Sequence, residues 1–254
     1  LISIEQRERV TAIVYVPKGV SRDYMIVATK KGEVKKTTMD EFEVVRRSGL
    51  IAMNLEEDDE LIGAKLAHAD DDVLLITAHG KAIRFTVEEL RSASRTSGGV
   101  RGIRLADGDT VVSLNLAPKG GELLVVTEHG YGKRTPVEEY PTQSRGGAGV
   151  ITLKVTQKSG PVAAARVITE KDSDLMIITA GGIVIRTDVG KIWRLGRSTQ
   201  GHRVMHPADG DSVVAVATTN GKKLDEQNGN GDEAAASEGN EEQELEAVEE
   251  GSEE

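Results

Sequence analysis

The sequence predicts an all-β fold, a propeller-like array of four-stranded antiparallel blades, and three observations carry that reading. First, one pattern recurs four times around a turn glycine, at Gly32, Gly80, Gly130 and Gly182, spaced 48, 50 and 52 residues apart. Second, each glycine has a threonine three places before it (Thr29, Thr77, Thr127, Thr179) and a short apolar run ahead of that. Third, the segments between copies repeat too, as an apolar strand, a polar turn and a second apolar strand. Units of this length, made only of strands, bury their faces against neighbouring units.

The junctions are LISIEQRERVTAIVYV from Leu1, LIAMNLEEDDELIGAKL from Leu50, VRGIRLADGDTVVSLNL from Val100, VITLKVTQKSGPVAAARV from Val150 and HRVMHPADGDSVVAVAT from His202. The first follows no glycine-anchored unit, so the array is expected to begin upstream of Leu1, with N-terminal blades missing. Within each unit an acid (Asp23, Asp72, Glu122, Asp174) opens the apolar run. Short continuous runs bounded by turn signals read as strands buried on both faces. After the T-x-x-G turn a second strand is expected at Glu33–Thr37, Ala82–Thr86, Tyr131–Thr135 and Ile183–Thr187, closing a hairpin. Apolar residues seven and ten places after the glycine (Met39 and Phe42, Val87 and Leu90, Val137 and Tyr140, Val189 and Ile192) then suggest a single helical turn on the blade edge. A sandwich accounts less well for repetition at this length. The Trp-Asp pair of the shorter propeller repeat is absent.

Composition bounds the rest. The chain has 254 residues, no cysteine and no long apolar run, which fits a soluble protein of a reducing compartment. Its net charge of −10 divides unevenly. Thirteen of the 42 acids follow Leu224, where there is no Lys or Arg, leaving 29 acids and 32 bases before it. Residues 1–220 therefore read as a weakly basic domain and 221–254 as an acidic, disordered tail. The tail is either solubilising or a mimic of nucleic acid that competes for the basic surface.

Catalytic candidates are thin. His79 and His129 repeat at one turn position, which suits a structural role. His202 and His206 fall in a strand-and-turn junction without a third ligand, so no metal and no cofactor are expected. The clusters Asp70–Asp72 and Asp107–Asp109 read as turn formers.

The cations recur in phase. Four places after the glycine stand Lys36, Arg84, Arg134 and Arg186; fifteen places after it stand Arg47, Arg95, Arg145 and Arg197. One reading pairs Arg47, Arg95 and Arg145 with the equally recurrent Glu41, Glu89 and Glu139. The other sets arginine in a glycine-rich loop (Arg95–Gly99, Arg145–Gly149, Arg197–Gly201), where guanidinium and main-chain N–H groups hold a phosphate together. Repeated along an arc, such loops suit a polymer of phosphates. Seven scattered aromatics offer no stacking platform for single strands, and no recognition helix is evident. Duplex DNA held by its backbone, and bent around the array, is the remaining ligand.

At Gln143, Ser144, Arg145, Gly146, Gly147, Ala148 and Gly149 the sequence resembles the C-terminal DNA-wrapping domains of bacterial DNA gyrase A subunits. That family's box reads Gln, basic, Arg, Gly, Gly, basic, Gly; Ser144 and Ala148 lack the two basic residues, so this is a degenerate copy. HGYGKRTPVEEYPT from His129 and GVRGIRLADGDTVVSLNL from Gly99 extend the likeness over most of residues 1–220.

The resemblance implies a β-pinwheel with strands exchanged between blades and duplex DNA wrapped on its rim. It also implies a non-catalytic part of an ATP-dependent type II topoisomerase, working with the rest of the gyrase A subunit and with the gyrase B subunit to introduce negative supercoils. A bacterial cytoplasmic, nucleoid-associated location follows from the same likeness. The C-terminal domain of the topoisomerase IV A subunit is the near alternative. A protein-interaction propeller would need exposed aromatics, and a hydrolase lacks a nucleophile, base or metal set.

Overall fold

The structure, a computed structural model, describes residues 10–16, 23–44 and 49–219. Arg47, the start of the Leu1 junction and the acidic segment 221–254 lie outside the described residues. Among the described residues fifteen strands follow one another: β1 (Tyr24–Thr29), β2 (Glu33–Thr38), β3 (Leu61–Ala67), β4 (Asp72–Thr77), β5 (Lys81–Thr86), β6 (Val100–Arg101), β7 (Val111–Leu116) and β8 (Glu122–Thr127). Then come β9 (Tyr131–Pro136), β10 (Val150–Ile151), β11 (Val162–Ile168), β12 (Asp174–Thr179), β13 (Val184–Asp188), β14 (His202–Arg203) and β15 (Val213–Thr219).

They form four antiparallel blades in a propeller-like array. The blade orders are β3-β1-β2-β6, β7-β4-β5-β10, β11-β8-β9-β14 and β15-β12-β13. In the junctions from Val100, Val150 and His202 the two strands part company. The first is only two residues long and pairs with the blade before (Val100 opposite Val34, Val150 opposite Ala82, His202 opposite Gly132). The second pairs with its own hairpin and packs beside its counterparts β3, β7, β11 and β15 along the inner edge. The second, third and fourth units thus each lend an outer strand to their predecessor. Among the described residues the fourth blade has three strands.

The T-x-x-G signature has a direct cause. Thr29, Thr77, Thr127 and Thr179 are buried, and each Oγ1 accepts from the N–H four residues on, at 3.1, 3.2, 3.1 and 3.2 Å. The glycine N–H returns to the threonine carbonyl while the glycine takes a positive φ, which only glycine adopts cheaply. A carboxylate from the junction caps each of three turns: Asp59 accepts from Lys31 N–H, Asp109 from His79 N–H and Asp211 from Gly181 N–H.

The core lies between blades rather than inside one. Along β4 the period of two sends Val73 and Leu75 toward the first blade, with Ile26, Val34, Ile83 and Phe85. Leu74 and Ile76 face the third, with Leu123, Val125, Val137 and Tyr140. The pattern repeats once more with Leu124, Val126, Leu175 and Ile177. Burial on both faces explains runs that do not alternate in sequence. The expected helical turns are 3-10 turns (Met39–Phe42, Val87–Glu89, Val137–Glu139, Val189–Lys191), and the last three plug the gap between blades with Val87, Leu90, Val137, Tyr140, Val189 and Ile192.

Candidate nucleic-acid interface

The two rows of cations take different places. In the row four residues after the glycine, the charge is engaged within the array. Arg84 Nε meets Asp72 at 2.7 Å while its Nη1 donates to the carbonyls of Val137 and Tyr140. Arg134 meets Glu122 at 2.7 Å and donates to the Ile192 carbonyl; Arg186 meets Asp174 at 2.9 Å. The acid that opens each of these units is therefore the partner of its hairpin cation. Lys36 differs, lying over the Tyr24 ring and donating to the Val87 carbonyl, and Asp23 turns to His68. Lys36, Arg84 and Arg134 each tie a hairpin to the 3-10 turn of the next unit.

The second row sits in the glycine-rich loops that lead into the exchanged strands. Arg95 Nη1 donates to the Ile51 carbonyl at 2.7 Å, Arg145 Nη1 to Arg101 at 3.2 Å and Arg197 Nη1 to Ile151 at 3.2 Å. The recurrent glutamates do reach these residues, but through the main chain. Glu41, Glu89 and Glu139 accept the N–H of Arg95, Arg145 and Arg197 at 2.8, 3.0 and 3.3 Å. The carboxylate pins the main chain and not the guanidinium; Arg95 and Arg197 are half-buried, and Arg95 Nε is buried with no hydrogen-bond partner among the described residues. Arg197 lies 6.0 Å from the Tyr140 ring, and Arg145 is exposed.

The Gln143–Gly149 loop rests on the second blade. Gln143 N–H donates to the Arg84 carbonyl, Gly146 N–H to Gly102, and the Gly147 carbonyl accepts from Arg104. Ser144 and Ala148 are exposed. Gly149 is fixed by space as well as by φ, +66°, since a Cβ there would strike the Ala82 carbonyl.

Sequence reading missed a third row. Asn54, Arg104 and Lys154 occupy one place, where the main-chain N–H supports the loop through Ser97, Gly147 and Thr199. Arg104 and Lys154 are exposed cations. Their phase, 24 residues after Gly80 and Gly130, was present in the sequence. Arg104 helps line a cavity of about 240 Å³ with His79, Lys81, Asp109 and Ala148; another of about 450 Å³ adjoins Arg197, Ile151 and Glu139.

The five histidines serve local contacts. His68 meets Asp23, His129 the Lys158 carbonyl and His206 the Arg203 guanidinium. His79 Nδ1 lies 3.9 Å from Asp109. His202 stacks on the exposed Trp193 ring, 4.5 Å between centroids, and its Nε2 accepts the Trp193 N–H. Burial lowers the His202 pKa. Among the described residues no His, Cys, Asp or Glu cluster of three could hold a metal, and no helix is long and apolar enough to cross a membrane.

Strand-exchanged blades, three of them carrying an arginine on a glycine-containing loop, define a propeller-like repeat protein of the β-pinwheel type. A family profile described as DNA gyrase C-terminal domain, beta-propeller, matches residues 23–68, 71–118, 121–169 and 173–220, one match per blade. The DNA gyrase A subunit of Halalkalibacterium halodurans is 54% identical over 217 residues, and that of Dehalogenimonas lykanthroporepellens 47% over 224. These alignments cover 85% and 86% of the chain but only 26% and 27% of the relatives, so the chain spans about a quarter of their length.

A solved DNA gyrase A C-terminal domain superposes with a TM-score of 0.76 at 26% identity, covering 85% of this chain and 72% of that one. The C-terminal domain of a DNA topoisomerase IV shares the fold, with a TM-score of 0.78 at 24% identity over 86% of this chain and 68% of that one. The chain belongs to the DNA gyrase C-terminal domain family.

Proposed function

We propose that the chain is a non-catalytic module that binds duplex DNA by its backbone and wraps it along the outer loops, within the A subunit of a DNA gyrase. The observation that carries this reading is a glycine-containing outer loop at the equivalent place on three successive blades, each with an arginine and a carboxylate-pinned main chain. Regular spacing along a curved surface suits an evenly charged polymer. In the holoenzyme, with the rest of the gyrase A subunit and with the gyrase B subunit, the wrap would present a DNA segment for ATP-driven strand passage and so introduce negative supercoils.

Arg95, Arg145 and Arg197 are the proposed phosphate contacts, with Arg47 in the corresponding place of its unit and Arg104 and Lys154 beside them. Lys36, Arg84, Arg134 and Arg186 belong to the same proposed basic surface, but the internal bonds described above make them better suited to holding blades together. Segment 221–254 would compete with DNA for these cations.

Binding of a linear duplex measured across salt concentrations tests the reading. The expected slope is about 0.9 in log K per log salt for every phosphate neutralised. Affinity independent of salt would overturn it.

A further inference from the structure

Lys35 and Lys133 share one place, three residues after the turn glycine in the first and third blades. Each carries its ammonium under an arginine loop delivered by the next unit. Lys35 Nζ donates to the carbonyls of Ser94, Arg95 and Ser97 at 3.2, 2.7 and 2.9 Å. Lys133 Nζ donates to the carbonyls of Gly196 and Arg197, both at 2.6 Å, and to Thr199 Oγ1 at 3.0 Å. Three acceptors use all three N–H bonds of an ammonium. Both residues are buried, 2% and 0% exposed, so neither group meets a ligand directly. Burial is costly for the charge and draws Lys133 down to about 8, opposed by Glu139 and assisted by Arg197.

The second blade has Ile83 in that place, and its loop folds otherwise. Gly146 takes φ +79°, whereas Thr96 and Ser198, its counterparts, are not among the positive-φ residues. Ile83 Cδ1 lies under Gly147, and Gly146 N–H reaches the Gly102 carbonyl. The loop on isoleucine has two adjacent glycines over an apolar side chain; the loops on lysine rest on an ammonium clamp.

Clamping has a geometric result. In a trans peptide the N–H lies antiparallel to its C=O. Drawing the carbonyls of Arg95 and Arg197 down onto a buried ammonium therefore turns the N–H groups of Thr96 and Ser198 outward, beside the guanidinium. Thr96 N–H has a long contact to Ser94 Oγ at 3.4 Å. Outward N–H groups next to an arginine make an anion cradle.

We propose that Lys35 and Lys133 are positioning residues that hold the Arg95 and Arg197 loops in a phosphate-ready conformation, while the Arg145 loop on Ile83 adjusts to the duplex. Fixed and adaptable grips thus alternate along the wrap. This inference rests on the outer loops being the DNA site.

A double-mutant cycle in the full 254-residue chain tests it, with Lys133→Met, Arg197→Gln and the pair, reading duplex affinity beside the melting temperature. Lys133→Met is expected to weaken binding about tenfold or more, the loss of one charge-assisted bond, and to add less than about twofold once Arg197 is replaced. Unchanged affinity in folded Lys133→Met, or losses that multiply, would overturn the proposal. Arg197→Gln binding as tightly as the parent would instead sink the DNA reading of the loop, and this inference with it.

Amide exchange on the unsubstituted protein gives an answer that needs no variant to fold. The N–H groups of Ser97 and Thr199, which donate to the Ser94 and Gly196 carbonyls inside the clamped loops, should exchange at least about tenfold more slowly than that of Gly147, their counterpart in the second-blade loop. Equal rates would overturn the clamp.

Discussion

Replacing Arg95, Arg145 and Arg197 together by Gln separates two roles that their geometry combines. Each guanidinium donates one hydrogen bond to a main-chain carbonyl of another junction, at 2.7, 3.2 and 3.2 Å. Such bonds are worth about 0.5–1.5 kcal/mol each, so the triple variant loses roughly 1.5–4.5 kcal/mol. A domain of this size shifts by about 2–4 °C per kcal/mol and should stay folded at 25 °C. The carboxylate anchors to the main-chain N–H groups survive the substitution.

Binding should suffer more than folding. Three lost phosphate contacts lower the salt slope by about 2.7. Between 50 and 200 mM salt, the variant should therefore lose about 40-fold less affinity than the parent does. Fluorescence anisotropy of a labelled linear duplex at four salt concentrations, with melting curves alongside, reads both quantities. A slope unchanged within about 0.5 would refute the assignment of these arginines to phosphates. Loss of the folded state would show that they serve the array instead.

Arg84→Met should do the reverse: it strips Asp72 and two carbonyls of their partner, costing about 2–4 kcal/mol in thermal unfolding, and changes the salt slope by less than one contact's worth. A large slope change without destabilisation would return Arg84 to the DNA surface. Deleting residues 225–254 removes thirteen acids and should tighten duplex binding at low salt but not at high salt; equal affinity at low salt would leave the segment a solubilising role.

The single tryptophan reports on His202. Its Nε2 accepts the Trp193 N–H, which requires a neutral ring, and burial places its folded pKa below the ordinary value of about 6.5. The unfolded chain therefore takes up the proton first as pH falls, and the stability held by this contact is lost below about pH 6.5. Trp193 emission should stay level down to that pH and change below it, with His202→Gln flat. A midpoint above 6.5 would contradict the burial.

What was legible in the sequence was whatever repeats within one unit. Thr127 and Gly130 announced their turn because the hydroxyl and the positive φ act within four residues. Glu122 and Arg134 recurred in step because they meet across one hairpin. Relations between units were harder to read. Nothing local in Val150–Ile151 says that two residues leave their own hairpin to pair with Lys81 and Ala82. Glu139 looked like a partner for a guanidinium, whereas the loop brings it a main-chain N–H. Lys35 and Lys133 escaped notice since Ile83 and Ile185 interrupt their phase, and a buried ammonium clamp is invisible until its carbonyls are in place.

Wrapping, not adhesion alone, is the central claim. A closed circular plasmid relaxed by a topoisomerase with the protein bound, then stripped of protein, records it as a change in linking number. The account predicts a shift that grows with protein added and is lost in the Arg95, Arg145 and Arg197 triple variant. Saturating binding with the linking number unchanged would contradict it.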